Sequence, residues 1–293
     1  MYLKGKSLNI DIMKALKISS LFLILITSAY INAQDYPFEV LVKGKGQPIL
    51  LFPGFTCTAD IWENTVTELS KNYECHVFTF AGFGNVAPVE KPWFSKIKKG
   101  VEAYVKEQNL ENPIIIGHSL GGTLGLWLAT AAEHPFSQLI VVDALPATGA
   151  LMIPDFNSAT LVYESAWNEQ LLGMDDTSFE AMAVQMVTGM SLNQEKQQQI
   201  KEWMVQADRE TYVYGYTDLL KLDLREDIGK INIPVTILAA AQPYGLEMVK
   251  GTYEKQYEKL HNYKIEFAAD AAHFIMYDSP KWFQEKLIAS LGK

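Results

Sequence analysis

Apolar residues fall along this chain in two kinds of pattern. Short apolar or alternating runs stand at Pro48–Phe52, Cys75–Phe80, Ile114–Ile116, Leu139–Val142, Pro234–Ala239 and Tyr263–Phe267. A run that is apolar at consecutive positions suits a strand buried on both faces, because successive side chains point to opposite sides of a sheet. Between the runs, apolar residues recur every three or four positions, as in Trp62, Val66, Leu69 and Tyr73, and again in Ile97, Val101, Tyr104 and Val105. That spacing predicts one buried face of a helix. Residues 38–52 alternate weakly through Val42 and pass a Gly44-Lys45-Gly46 turn, which predicts the first strands of the sheet. Strands alternating with helices from residue 48 to 143 imply a parallel sheet with right-handed crossovers.

The pattern changes after residue 143. From 144 to about 223 no strand-like run occurs, and helical stripes take over, one of them Phe179, Met182, Met186 and Met190. Ser191, with Gln194 three positions on, predicts a capping box opening a helix that carries Ile200 and Met204. A segment with Tyr212, Tyr214 and Tyr216 follows. Strand–helix order resumes at Pro234, and a closing helix is expected from about Pro280. The predicted organisation is one α/β domain, with core residues 34–143 and 224–293 and a helical insertion at about 144–223.

The chain has 293 residues, 48% of them hydrophobic, enough for one large core. Its net charge of -9, with Lys96, Lys98 and Lys99 as the only basic cluster, excludes a nucleic-acid binder as the expected class. No metal-ligand cluster or phosphate-cradling glycine loop is present, so neither metal nor cofactor is expected. Residues 1–33 have the form of an export signal. Lys14 and Lys17 precede the apolar stretch Leu21–Ala29, and Ile31-Asn32-Ala33 precede Gln34, so cleavage is expected after Ala33; Met13 offers an alternative start. The apolar stretch is short for a membrane span. Without residues 1–33, which hold four lysines and one aspartate, the charge becomes -12, that of an acidic exported protein with no stable membrane association. Cys57 and Cys75 fall at opposite ends of consecutive strands, too far apart to bridge if those strands are parallel, and both are expected to be free and buried.

The candidate chemistry centres on Gly117-His118-Ser119-Leu120-Gly121, which joins the Ile114–Ile116 run to a stretch of helix formers. Strand, sharp turn and helix around G-x-S-x-G form a nucleophile elbow, with a strained serine at the turn and glycines where strand and helix nearly touch. A serine hydroxyl needs a base. Of the five histidines, His118 lies inside the elbow with its side chain diverging from the serine. His76, His134 and His261 stand at element ends, and His273 follows the last predicted strand.

With these features, in this order from about residue 38 to 291, the chain resembles the α/β-hydrolase family. The resemblance implies a mostly parallel central sheet flanked by helices, with the 144–223 insertion as a helical cap over the site. It implies Ser119 as nucleophile and His273 as base. It also implies an oxyanion hole made of the Leu120 N–H, at a helix N-terminus, and an N–H from the loop after Pro48–Phe52, assigned to Phe55. Family members frequently place the acid after the strand matched here by Val235–Ala239, but Ala240-Ala241-Gln242-Pro243 holds no carboxylate. Two candidates remain open. Asp143 ends the strand after the nucleophile helix, a position some relatives use, and Glu247 lies further along the later loop; Asp143 needs the shorter reach. Phe55, Trp93, Phe94 and Trp167 are candidates to line an apolar acyl pocket. The expected protein is an exported, cofactor-free serine hydrolase acting on the carboxylic ester of a small apolar substrate. Lactone, amide, carbon–carbon or perhydrolase chemistry on the same triad are alternatives, and a non-catalytic binding protein on the same fold is the rival from another class.

Overall fold

Seven strands form one sheet in the computed structural model, which describes residues 36–292; the expected export signal and its cut after Ala33 lie outside them. The strands are β1 (Phe38–Gly44), β2 (Gln47–Phe52), β3 (Tyr73–Phe80), β4 (Ile114–His118), β5 (Gln138–Val142), β6 (Val235–Ala240) and β7 (Tyr263–Ala268). They lie in the order β1-β3-β2-β4-β5-β6-β7, all pairs parallel except β1 with β3. Ile49 to Phe52, all of β4 and Leu139 to Val142 are buried, as consecutive apolar positions require when helices cover both faces. The Gly44-Lys45-Gly46 turn makes no hairpin. Both sides of β2 are taken by β3 and β4, so β1 crosses to the far edge of β3, pairing Phe38 with Phe80.

Helices α1 (Glu63–Leu69), α2 (Trp93–Glu107) and α3 (Leu120–Ala129) link the first strands. Tyr73 does not continue the Trp62–Val66–Leu69 face. The helix ends at Leu69, and Tyr73 opens β3 opposite Gln47, so its burial comes from the sheet. Between β5 and β6 the chain forms α4 (Thr148–Met152), α5 (Ala166–Leu172), α6 (Asp176–Met190), α7 (Gln194–Gln206) and α8 (Arg209–Lys221). The expected capping box at Ser191 is displaced. Asn193 caps α7 by accepting the Lys196 N–H at 3.2 Å, while the Ser191 hydroxyl donates to Asp278 at 2.6 Å. The buried face of α6 is Phe179, Ala183 and Val187, and the three methionines beside it are half-buried.

Helix α8 joins this insertion to the core. Asp208 caps it through the Thr211 N–H (2.8 Å) and donates its own N–H to the Gly82 carbonyl (2.8 Å). Further along, the Asp218 carboxylate accepts the Phe94 N–H (3.0 Å) and the Tyr163 hydroxyl. Helices α9 (Leu246–Gln256), α10 (Ile275–Asp278) and α11 (Pro280–Ser290) complete the chain. Cys57 and Cys75 are free and buried. Among the described residues no helix is long and apolar enough to cross a membrane, and no group of side chains could hold a metal ion.

Candidate active site

Ser119 stands where β4 gives way to α3, with φ 53° and ψ -122°. Its strain is held from several sides. The Ser119 N–H donates to the Val142 carbonyl at 2.9 Å. A Cβ at Gly117 would fall 2.2 Å from the Gly121 carbonyl oxygen, and one at Gly121 would fall 2.4 Å from that of Phe52, so only glycine admits this turn. The first N–H groups of α3, Leu120 among them, have no intrahelical acceptors, as at any helix start, and no side chain caps them.

The loop after β2 runs against the same turn. A Cβ at Gly54 would meet His118 Nδ1 at 2.7 Å and the Ser119 Cβ at 3.4 Å. A bond from the Cys57 N–H to the Gly54 carbonyl (3.1 Å) and a left-handed Thr56 (φ 64°) fix the next turn. Among the described residues nothing accepts the Phe55 N–H. The Phe55 ring packs against Phe83 and, from α8, against Tyr212 and Tyr216, with centroids 5.1 to 5.6 Å apart. Helix α8 therefore holds the loop through its side chain and leaves its amide free.

His273 follows β7, and its Nδ1 lies 2.6 Å from Asp143 Oδ2. Asp143 directly follows β5 with φ 45°, its N–H bonded to the Leu238 carbonyl at 2.8 Å. Its Oδ1 accepts the Ala240 N–H at 2.8 Å and the Tyr253 hydroxyl at 2.9 Å. Burial raises the affinity of this carboxyl for a proton, but His273 and the two donors on Oδ1 outweigh it and hold Asp143 below the usual carboxylate range. With Nδ1 committed to Asp143, Nε2 is the ring nitrogen that remains available.

The backbone around His273 is fixed from both sides. His118 Nε2–H donates to the His273 carbonyl at 2.9 Å. The Ala272 N–H donates to Asp278 at 2.8 Å, and the Phe274 N–H donates to the Met190 carbonyl at 3.1 Å. Burial, then the neighbouring His273, push the His118 imidazole down to about 3, so it stays neutral and serves as a donor to that carbonyl.

Ser119, His273 and Asp143 thus sit at one end of the sheet, whereas Glu247 does not join them. It occupies the first turn of α9, its side chain 89% exposed and paired with Lys250 at 3.1 Å. The proposed aromatic lining also divides. Trp93 and Phe94 are buried under α8, Phe55 reaches the site, and Trp167 is 60% exposed on the insertion. Sequence reasoning missed Tyr253 and Asp278. Tyr253 lies four residues before the buried Tyr257, an ordinary packing stripe. Asp278 accepts from Ala272, Ser191 and Leu192, and the last two are more than 80 residues away in sequence. No local signal marks either.

A sequence model of the alpha/beta hydrolase family matches residues 49–285. The chain is 25% identical over 199 residues to the pimeloyl-[acyl-carrier protein] methyl ester esterase of Vibrio cholerae, covering 66% of this chain and 75% of that protein. It is 22% identical over 261 residues to 3-oxoadipate enol-lactonase 1 of Acinetobacter baylyi, covering 86% and 92%. The crystal structure of a hydrolase from Pseudomonas aeruginosa superposes with a TM-score of 0.73 at 16% identity, over 87% of this chain and 94% of the other, a likeness of fold.

Proposed function

From the premise that the chain belongs to the alpha/beta hydrolase family and is an enzyme of hydrolase type, we propose that it is an exported serine hydrolase of carboxylic esters. The observation that carries this reading is the His273–Asp143 pair, 2.6 Å apart, at the same end of the sheet as a strained Ser119 whose side chain makes no capping bond. In the proposed reaction, Ser119 Oγ attacks the ester carbonyl carbon as its proton passes to His273 Nε2. Asp143 holds Nδ1–H and stabilises the imidazolium that forms. The Phe55 and Leu120 N–H groups hold the oxyanion. Collapse of the tetrahedral intermediate expels the alcohol, which takes the proton from Nε2, and leaves an acyl-serine. Water, deprotonated by the same nitrogen, then releases the acid. Every step uses groups of the chain itself.

A lactone is a cyclic ester and needs no different machinery, so lactones belong to the same reading; the enol-lactonase relative supports including them. The Phe55, Tyr212 and Tyr216 rings over the oxyanion loop favour a small apolar acyl group. The test is a panel of short and medium acyl esters and lactones given to the purified protein, alongside a fluorophosphonate probe. Turnover of at least one ester together with covalent labelling is expected. Neither labelling nor turnover on any member would favour a non-catalytic binding protein.

Export is part of the proposal. It rests on Lys14, Lys17 and the apolar Leu21–Ala29 stretch ahead of Ala33. Mass spectrometry of the protein recovered from its host is expected to find an N-terminus near Gln34. A terminus at Met1 or Met13 overturns cleavage.

A further inference from the structure

We infer that Tyr253 is a positioning residue of the acid, setting how firmly Asp143 holds the proton on His273; the inference rests on the triad proposed above. The two oxygens of Asp143 have separate tasks. Oδ2 faces His273 Nδ1 at 2.6 Å, and Oδ1 takes two donors, the Ala240 N–H at 2.8 Å and the Tyr253 hydroxyl at 2.9 Å. A carboxylate shares its charge between its oxygens. Donors on Oδ1 stabilise the anion and weaken its pull on a proton at Oδ2. The Ala240 amide belongs to β6 and is fixed by the sheet, so Tyr253 is the donor that a side-chain change can remove.

The tyrosine is built for this contact. Its ring is buried, stacked on Tyr257 (5.9 Å between centroids, 13° between planes) and edge-on to Phe267 (6.2 Å, 82°). Tyr257 cannot stand in, because its own hydroxyl donates to the Ala144 carbonyl at 2.7 Å. Burial and the Asp143 charge raise the Tyr253 phenol, which keeps it a donor throughout the working pH range. The other groups facing Asp143 are few. The loop after β7 presents His273, β4 presents the neutral His118 behind it, α9 presents Tyr253 and Tyr257, and β6 presents a backbone amide. Glu247, on the same α9, is exposed and pairs with Lys250. No lysine or arginine bonds to Asp143 among the described residues, so its charge is balanced by hydrogen bonds and by His273.

Tyr253→Phe keeps the ring packing and deletes one donor. The freed charge on the carboxylate holds the imidazolium more tightly, and the base surrenders its proton only at higher pH. The acid limb of the kcat/KM profile is expected to move up by about half a unit to one unit. At the plateau kcat should fall about three- to tenfold with KM unchanged, because the contact touches the acid and not the substrate. The experiment is a pH profile of Tyr253→Phe and wild type on one ester that the wild type hydrolyses, with a melting curve for each. A limb superimposed on the wild type, or moved to lower pH, overturns the inference even if the melting temperature drops, since a purely structural role alters stability alone. Should the Phe variant fail to fold, site-specific 3-fluorotyrosine at position 253 retains the ring and donates more strongly. The limb should then move to lower pH, and a stationary limb again overturns the inference. An inert wild type instead sinks the hydrolase reading, and the role of Tyr253 with it.

Discussion

Ser119→Ala is expected to lower ester turnover by about ten-thousandfold to a millionfold and to abolish fluorophosphonate labelling. The size follows from what the variant keeps. In the proposed mechanism the Phe55 and Leu120 amides do not depend on the hydroxyl, so some stabilisation of a water-derived oxyanion is expected to survive. What disappears is the attack by Oγ and the acyl-serine that divides the reaction into two easier steps. A loss of that size corresponds to about 5–8 kcal/mol of barrier. The turn itself should survive, because its shape is set by the Ser119 N–H bond to Val142 and by Gly117 and Gly121, none of which involves the hydroxyl. A melting curve close to wild type is therefore expected. Undiminished hydrolysis in a folded Ser119→Ala protein places the chemistry elsewhere and sinks the mechanism.

The sheet and the tight turn at Ser119 were legible in the sequence because each rests on local sterics. Ile114–Ile116 can be covered on both faces only inside a sheet, and glycines two positions either side of Ser119 are what a strand-to-helix turn of that tightness demands. Local spacing also misled. Tyr73 falls four residues after Leu69 and Ser191 three before Gln194, yet Tyr73 is buried by β2 and Ser191 is turned toward Asp278. In each case a long-range partner overrode a local preference. Between Asp143 and Glu247 the sequence leaves the choice of carboxylate open for the same reason. Nothing near Asp143 or Glu247 in sequence records that residues 240, 253 and 273 converge on one carboxylate. Such a convergence is a property of strand order, which sequence periodicity does not carry.

Asp143→Asn tests that convergence most sharply, and the direction of its hydrogen bonds sets the size of the effect. Two donors, the Ala240 N–H and the Tyr253 hydroxyl, point at Oδ1. In the variant, the amide oxygen must occupy that position, since an NH2 group there would face two donors with no lone pair to offer. The NH2 is then turned toward His273 Nδ1, where it donates instead of accepting. The imidazole is driven to the tautomer with its proton on Nε2, the nitrogen that should take the proton from Ser119, and general-base catalysis stops. The expected loss in kcat is about a hundredfold to ten-thousandfold, toward the upper end if the tautomer is fully reversed. Glu247→Gln, by contrast, removes only an exposed contact with Lys250 and should stay within about threefold, well under 1 kcal/mol of barrier. Melting curves separate chemistry from folding, because Asp143 also ties β5 to β6 and α9 through its two Oδ1 bonds. A folded, fully active Asp143→Asn beside a folded, inactive Glu247→Gln would reverse the assignment. A folded Asp143→Asn that loses activity while Glu247→Gln keeps it leaves the orientation of one amide as the cause.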